Sequence, residues 1–393
     1  MSQQPKGTER TSRVARELPP SGIRRFFDLV IGVPDVITLG VGEPDFATPW
    51  HICDAMLHAL RRGHTSYTSN HGLLELRQEI SRMLERDYGV EYSPEREIVV
   101  TAGVSEALDV LLRAILDPGD EVIVPEPCYV AYKACVLLAG GRPVVVETRS
   151  ADGWTLCPEA VQAAVSPRTK ALLIGYPNNP TGAVMPREQL QRIVDVAAEA
   201  DLLLISDEIY GRLTYEGTHT CVPGLSGAWE RTVLLNGFSK AYAMTGWRIG
   251  FAAGPADIIE AMVRIHAYTA LCAPITGQIA AIEALENGAE AMAGMVREFG
   301  QRRRLFVKGL KDAGLSCFEP KGAFYTFPSI EHTGVSSEDF CARLLQEEKV
   351  AVVPGTAFGD CGEGYVRCTY ANSFDALREA ITRIKRFVGR LTR

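Results

Sequence analysis

The hydrophobic positions up to about residue 288 alternate between two kinds of pattern. Short runs rich in β-branched residues, typical of strands, are separated by longer segments in which apolar residues recur at helical spacing. The strand-like runs are EIVVT, EVIVP, RPVVVE, KALLIG, DLLLIS, TVLLNG and WRIGFAAG. Several of them are apolar at every position, as strands covered by helices on both faces must be. The pattern therefore predicts an α/β fold with a mostly parallel sheet covered by helices on both faces.

The pattern changes after Gly288. A long charged helix reaching Asp312 is followed by GAFYTFP, a helix from Ser337, the short runs VAVVP and YVRCTY, and a final helix. This order is typical of a smaller α+β domain. We therefore predict an N-terminal arm and part of the small domain in 1–45, a large domain in 46–290, and a small C-terminal domain in 291–393.

Composition excludes several classes of protein. The chain has 393 residues, 46% of them hydrophobic, and a formal net charge of −7, which argues against nucleic acid as a partner. The first twenty residues are polar and contain no apolar core of a secretory signal. The longest uncharged run, 265–282, is interrupted by proline, glycine and histidine, which makes a membrane span a poor interpretation. We expect a cytoplasmic protein.

Cysteine and histidine spacing gives no sign of a metal site. The ten cysteines form no C-x-x-C pair, and the seven histidines form no H-E-x-x-H pair. We therefore expect reduced thiols and no protein-bound metal.

Polar residues follow the predicted strands where ligands of parallel sheets bind, at the carboxyl ends. Asp207 comes directly after LLLIS, and a buried carboxylate there is costly unless a cation or strong donor meets it. Asn179 lies in the stiff turn YPNNPTG and could direct its amide at a ligand. A structural ion pair and a plain turn are the alternative interpretations of these two segments.

Two cations lie in NGFSKAYAMTGWRIG without an acid inside the same stretch. The neighbours of Lys240 would bury it, and a buried lysine becomes a neutral, nucleophilic amine. The planar guanidinium of Arg248 suits a phosphate. The turn at Gly103 leads into a helix whose free N–H groups could bind the same anion, although many such turns bind nothing. Together with Asp207, these residues match the requirements of pyridoxal phosphate.

The motifs also resemble those of one known family. LGVGEPDF, YPNNPTGAV, SDEIY, GFSKAYAMTGWRIG, GAFY and YVRCTYA occur in the order found in class I/II aminotransferases, which are fold type I pyridoxal-phosphate enzymes. The similarity extends from about residue 20 to the end of the chain, and the lysine segment is its most specific part.

The resemblance implies a role for each residue near the cofactor ring. Lys240 would be the Schiff-base lysine and the proton carrier, and Asp207 would pair with the pyridine nitrogen. Tyr210 and Asn179 would donate to the phenolic oxygen, and Tyr129 would stack on the ring. The catalytic residues implied are therefore Lys240, Asp207 and Tyr210.

The resemblance likewise implies the phosphate site and a homodimer. Gly103, Val104, Ser239 and Arg248 would hold the phosphate. Tyr67 would reach the phosphate of the neighbouring subunit, so that two subunits share their active sites.

At the substrate end, Arg367 would bind the α-carboxylate, with Gly42 and Asn179 beside it. The alternatives are a solvated strand charge at Arg367 and a simple turn at Gly42. Members that prefer dicarboxylates often place a cation by the phosphate loop, where this chain has Val104. A helix around SGIRRFFDLV is similar to the one that lines the substrate pocket in aromatic and broad-specificity members.

The function implied is ping-pong transamination from an L-amino acid to a 2-oxo acid such as 2-oxoglutarate. An aromatic or broad donor range is favoured, and aspartate remains open. Two alternatives are a pyridoxal-phosphate C–S β-lyase, which shares nearly every cofactor residue, and a cofactor-binding regulatory protein, which normally needs an added DNA-binding domain.

Overall fold

Helices and strands alternate along the part of the chain that the computed structural model describes, residues 10–18, 22 and 34–392. The helices there are α1 (Arg13–Glu17), α2 (Trp50–Arg61), α3 (Leu74–Tyr88), α4 (Val104–Ile115), α5 (Ala131–Leu138), α6 (Pro158–Ala164), α7 (Arg187–Glu199), α8 (Ala256–Thr269), α9 (Ile275–Asn287), α10 (Ala289–Asp312), α11 (Ser337–Glu348) and α12 (Phe374–Leu391). The strands there are β1 (Ile37–Thr38), β2 (Ile98–Thr101), β3 (Glu121–Glu126), β4 (Arg142–Glu147), β5 (Thr169–Gly175), β6 (Leu203–Asp207), β7 (Thr232–Gly237), β8 (Gly250–Ala253), β9 (Tyr325–Thr326), β10 (Val350–Ala351), β11 (Val353–Pro354) and β12 (Val366–Thr369).

A mixed sheet of seven described strands, in the order β2-β8-β7-β6-β5-β3-β4, forms the centre of the fold. The pairs from β7 to β4 are parallel, and β8 runs antiparallel to both β7 and β2. The prediction of an α/β fold with a mostly parallel sheet is therefore confirmed.

The two faces of this sheet bury separate hydrophobic cores. Leu172 and Leu204 pack with α6 and α7 on one face, whereas Leu173, Ile205 and Leu235 pack with α4, α5 and α8 on the other. Neighbouring residues of one strand point to opposite faces, so both must be apolar when both faces are covered. Each fully buried leucine contributes about 1.5–3 kcal/mol relative to an exposed one. This burial fixes the strand ends on which the polar side chains are placed.

The C-terminal part contains two smaller sheets. Strand β12 lies between β11 and β9 and is antiparallel to both. Strand β1, from the beginning of the chain, pairs in parallel with β10, and Ile37 is in register with Val350. The start of the described chain is thus attached to the C-terminal part, although the division into 1–45, 46–290 and 291–393 itself stays a prediction.

The segment WRIGFAAG differs in detail from the expectation. The apolar pattern suggested that Arg248 begins the strand, but β8 begins at Gly250. Arg248 has a left-handed backbone conformation, with φ of 56°, which ends a short 3₁₀ turn and cannot continue into a pleated strand. The pattern could not show this because apolar residues continue through the turn.

Of the helices that the structure describes, none combines the length and the hydrophobicity needed to cross a bilayer.

Candidate active site

A cavity of about 410 Å³ lies at the carboxyl ends of the parallel strands. Ten of the twelve residues predicted for the site line it, namely Gly42, Val104, Tyr129, Asn179, Asp207, Tyr210, Ser239, Lys240, Arg248 and Arg367. Gly103 lies directly before Val104, at the start of α4, and Tyr67 is the one predicted residue found away from the cavity. The structure therefore brings together residues separated by more than 300 positions in sequence.

Asp207 is the last residue of β6, and its carboxylate is buried. The hydroxyl of Tyr132 donates to Oδ2 at 2.8 Å, and the backbone N–H of Ile209 donates to Oδ1 at 3.2 Å. Burial raises the pKa of Asp207 to about 6, because the charged form loses hydration that two donors only partly replace. Among the described residues it forms no ion pair, so a cationic group within the cavity would stabilise its charged form.

Lys240 follows β7 and extends into the same cavity. Its Nζ donates to the carbonyl oxygen of Gly42 at 2.7 Å. Burial lowers the pKa of the Lys240 amine to about 8, a change that the nearby charges of Arg367 and Arg248 reinforce and that of Glu43 opposes. At pH 7 about a tenth of this amine is then neutral, far more than for an ordinary lysine, and the neutral form is a nucleophile and a base.

The amino end of α4 faces Arg248. Gly103, the residue before this helix, has a φ of 85°, which side chains other than glycine rarely allow. A Cβ at Gly103 would come within 2.6 Å of Nη2 of Arg248. The guanidinium donates to the carbonyl oxygens of Thr245, at 3.0 Å, and Ala102, at 3.3 Å, and forms no ion pair with any described residue. A helix amino end beside an unpaired guanidinium is a binding site for an anion such as phosphate.

Arg367, on β12, is 1% exposed. It donates to Oδ1 of Asn179 at 3.0 Å and to the carbonyl oxygen of Gly40. Its Nε has no hydrogen-bond partner, and no carboxylate of the described residues pairs with it. A buried guanidinium without an acid is costly, which indicates a place for the carboxylate of a ligand. Because Oδ1 of Asn179 accepts from Arg367, the amide Nδ2 remains available as a donor.

Two tyrosines of the cavity were not predicted from the sequence. Tyr132 donates to Asp207 and packs edge-on against Tyr129, with ring centroids 5.7 Å apart. The hydroxyl of Tyr325 lies 2.8 Å from that of Tyr210. Tyr132 stands three residues after Tyr129, and its backbone N–H donates to the carbonyl oxygen of Tyr129 at 3.1 Å in the turn that leads into α5. Tyr325 is part of GAFY, a motif that was recognised without a role being assigned to its tyrosine.

Two expectations remain, one for Tyr67 and one for the helix around SGIRRFFDLV. Tyr67 is 82% exposed, and Trp50 and Tyr268 are likewise largely exposed. The expected contact of Tyr67 is with a neighbouring subunit, so its role stays a prediction. The helix expected around SGIRRFFDLV lies, apart from Gly22, outside the described residues.

Comparison with known proteins identifies a family for this architecture. The model of the family "Aminotransferase class I and II" matches residues 34–384. YugH of Bacillus subtilis, described as a putative aminotransferase, is 51% identical over 385 residues, which cover 98% of this chain and 100% of that protein.

Two solved structures resemble the fold closely. An aromatic aminotransferase from Pyrococcus horikoshii has a TM-score of 0.89 and 44% identity, covering 94% of this chain and 99% of that one. An aspartate aminotransferase from Thermus thermophilus, solved with maleate, has a TM-score of 0.91 and 42% identity, covering 96% and 99%. These relatives are named as aminotransferases, which favours transamination over C–S elimination or a regulatory role.

Proposed function

Because the chain belongs to the class I and II aminotransferase family, and is therefore a pyridoxal-phosphate-dependent aminotransferase, we propose that it transfers the amino group of a large apolar or aromatic L-amino acid to a 2-oxo acid. One observation carries this proposal: a part-buried amine, a buried carboxylate and a buried guanidinium without an acid line a single cavity. 2-Oxoglutarate is the acceptor to test first.

The chain's residues fit the ring of the cofactor. When bound, pyridoxal phosphate supplies an aldehyde that takes up amino groups and a ring that accepts the electron pair of the substrate's Cα–H bond. Lys240 would hold it covalently, and Asp207, which is buried and forms no ion pair with a described residue, would pair with the pyridine nitrogen. Tyr210 and the free Nδ2 of Asn179 would donate to the phenolic oxygen, and Tyr129 would cover one face.

The phosphate would be held at the amino end of α4. The N–H groups of Gly103 and Val104, the side chain of Ser239 and the guanidinium of Arg248 are the proposed donors. The close approach of Gly103 to Arg248 supports this assignment, since any larger residue would fill the space between helix and guanidinium.

Lys240 and Arg367 have complementary tasks toward the substrate. Arg367 binds the α-carboxylate in a bidentate manner, with Gly42 and Asn179 beside it, and thereby fixes the direction of the Cα–H bond. The Lys240 amine is neutral in part, because burial lowers its pKa to about 8. It would remove the proton from the substrate Cα and later deliver a proton to the cofactor carbon that carries the nitrogen.

The charges of the cavity support an apolar donor. Its lining cations are Lys240, Arg248 and Arg367, and each already has a proposed partner. Among the lining residues that the structure describes, no further cation remains for a second carboxylate, and Val104 and Leu108 contribute apolar surface. Aspartate is the second candidate, because the relative from Thermus thermophilus carries that name.

We also propose a homodimer in the cytoplasm. Tyr67, Trp50 and Tyr268 are large exposed aromatic side chains of the kind that interfaces between subunits are enriched in, which supports an interface. Tyr67 would reach the partner's phosphate site. All ten cysteines are free, which supports a reducing compartment.

The experiment is to add amino acids one at a time to the purified holoprotein and follow its visible absorbance. Phenylalanine, tyrosine or leucine should convert the cofactor to its amino form faster than aspartate does. Conversion by aspartate alone would replace the proposed donor class by the second candidate. Absence of conversion by every amino acid would contradict the proposed function.

Borohydride reduction followed by peptide mass spectrometry tests the site itself. The cofactor should be found on the peptide that contains Lys240. Lys240→Ala should show neither labelling nor turnover, whereas the control Lys170→Ala, which changes an exposed lysine on β5, should show both. Labelling of another lysine in the unchanged protein would overturn the assignment.

A further inference from the structure

Tyr325 has no assigned role so far, yet it contacts two of the residues proposed for the site. It is 1% exposed and lies on β9, which pairs with β12 so that Tyr325 is opposite Thr369. Its hydroxyl meets Tyr210, and its ring lies against Arg367. One side chain therefore connects the residue proposed for the cofactor's phenolic oxygen with the residue proposed for the substrate's carboxylate.

The hydroxyl contact restricts the direction of a proton. The two hydroxyl oxygens of Tyr210 and Tyr325 are 2.8 Å apart, so one hydrogen lies between them and one points elsewhere. The described residues offer no other hydrogen-bond acceptor to Tyr325. When Tyr325 donates to Tyr210, the hydrogen of Tyr210 is free to point into the cavity. In this direction of the hydrogen bond Tyr210 becomes a donor toward a ligand, whereas in the opposite direction its hydrogen would be used by Tyr325.

The ring contact holds a guanidinium that hydrogen bonds alone leave incompletely fixed. Cζ of Arg367 lies 4.5 Å from the ring centroid of Tyr325 and 4.8 Å from that of Phe358. Nε of Arg367 has no partner. The two aromatic rings therefore set the plane in which its N–H groups can meet a carboxylate.

Gly42 provides the space for this arrangement. A Cβ at Gly42 would lie 2.5 Å from the hydroxyl oxygen of Tyr325. The same glycine accepts the hydrogen bond from Lys240. The absence of a side chain at position 42 lets the tyrosine hydroxyl and the lysine amine approach one backbone segment.

We propose that Tyr325 is a positioning residue for the reaction, with two separable functions. Its hydroxyl aims the Tyr210 hydroxyl at the cofactor's phenolic oxygen, and its ring holds the plane of Arg367 for the α-carboxylate. The inference rests on the proposed function, because both target residues have their roles through it.

Tyr325→Phe isolates the hydroxyl. The variant keeps the ring against Arg367, so the KM of the amino donor and the Kd of 3-phenylpropionate should stay within about twofold of the original values. The turnover number should fall about tenfold, as expected when one buried hydrogen bond between two hydroxyl groups is lost. The pH midpoint of the visible spectrum of the resting holoprotein should rise, because Tyr210 no longer accepts a hydrogen bond from Tyr325 and is then a weaker donor to the phenolate oxygen.

Tyr325→Leu removes the ring as well. It should additionally weaken the binding of 3-phenylpropionate and raise the KM of the amino donor, each by about tenfold. Tyr325→Met, which has similar volume but no aromatic face, repeats this measurement if the leucine variant fails to fold. Tyr370→Phe is the matched control, because Tyr370 is equally buried and donates to the carbonyl oxygen of Ala323 outside the cavity. It should leave unchanged the KM of the amino donor, the Kd of 3-phenylpropionate, the turnover number and the pH midpoint of the spectrum.

Each part of the proposal can fail separately. An unchanged spectral midpoint in Tyr325→Phe would overturn the function of the hydroxyl. Equal carboxylate affinity in the phenylalanine variant and in the variant without a ring would overturn the function of the ring. Borohydride labelling of Lys240 is measured in every variant. If Lys240 of the unchanged protein is not labelled, the proposed function fails. If Lys240 is labelled but the Tyr325 variants keep the original spectral midpoint and the original affinity for 3-phenylpropionate, only the inference about Tyr325 is rejected.

Discussion

The Arg367 guanidinium and the Asn179 side chain are joined by a hydrogen bond of 3.0 Å, from Nη1 to Oδ1. The two residues come from different parts of the fold, Arg367 from β12 and Asn179 from the turn after β5. Because the amide oxygen is engaged, the direction of the amide N–H₂ group is determined before any ligand binds. Arg367, which is proposed to bind the substrate carboxylate, therefore orients Asn179, which is proposed to bind the cofactor.

Arg367→Ala should mainly weaken substrate binding. The loss should be about 2–5 kcal/mol in kcat/KM, expressed mostly as a higher KM, because the substrate carboxylate would be left desolvated and unpaired. Steady-state kinetics with the best amino donor measure it. Arg378→Ala, which changes an exposed arginine on α12, is the control and should leave KM unaltered. An unaltered KM in the Arg367 variant would exclude this residue from the substrate site.

Asp207→Asn should stabilise the cofactor-free protein. In the holoprotein the same change should abolish turnover. Burial raises the pKa of Asp207 from 3.8 to about 6, so the folded protein binds the proton more tightly than the unfolded chain. The corresponding stability is fully present below pH 3.8 and is lost as pH rises through about 6. The neutral amide of the variant avoids this loss. The increase in the free energy of unfolding should therefore be larger at pH 8 than at pH 5, and on the order of 1–3 kcal/mol at pH 8.

Urea unfolding of the cofactor-free forms at both pH values measures the effect. Asp201→Asn serves as control, since the Asp201 side chain is fully exposed and should show no pH-dependent difference. A destabilised Asp207→Asn variant at pH 8 would contradict the prediction.

Val104→Lys should widen the donor range toward aspartate. Val104 lines the cavity at the start of α4, where a cation could meet a second carboxylate. We expect the ratio of kcat/KM for aspartate to that for phenylalanine to rise about tenfold, the effect of one charge-assisted hydrogen bond. Val104→Met controls for side-chain length. The same ratio in both variants would show that the added charge does not reach the substrate.

Shared active sites can be tested by mixing two inactive variants. Tyr67→Ala and Lys240→Ala damage the same site from different subunits if Tyr67 serves its neighbour. A hybrid dimer then carries one site with both changes and one intact site. Random exchange of equal amounts should therefore restore about a quarter of the original activity. Mixed subunits that regain no activity after verified exchange would place Tyr67 in its own subunit's site or outside both sites.

The sequence predicted the sheet and most of the cavity because the two depend on local patterns. Apolar runs ending in Asp207 or followed by Lys240 mark both a strand and the residue at its carboxyl end. The positions of these side chains follow from strand direction alone. The family motifs then added Arg367. Its strand lies in a different sheet, and hydrophobic periodicity could not show that this strand borders the cavity.

The tyrosines that were missed depend on contacts between distant segments. Tyr132 acquires its function from Asp207, 75 positions away in sequence, and Tyr325 from Tyr210, 115 positions away. An apolar or aromatic residue at such a position is compatible with simple core packing, as 1% exposure of Tyr325 illustrates. Only their hydroxyl contacts with other residues of the cavity distinguish these two tyrosines from tyrosines that merely pack in the core.

The pairing of β1 with β10 has a mechanical consequence. Only three residues separate the end of β1, at Thr38, from Gly42, whose carbonyl oxygen accepts the Lys240 hydrogen bond. This tether connects the C-terminal sheets directly to the Lys240 amine, and Gly40 within it also accepts from Arg367. A displacement of the C-terminal sheets would therefore be transmitted through this short tether to the carbonyl that accepts the Lys240 hydrogen bond.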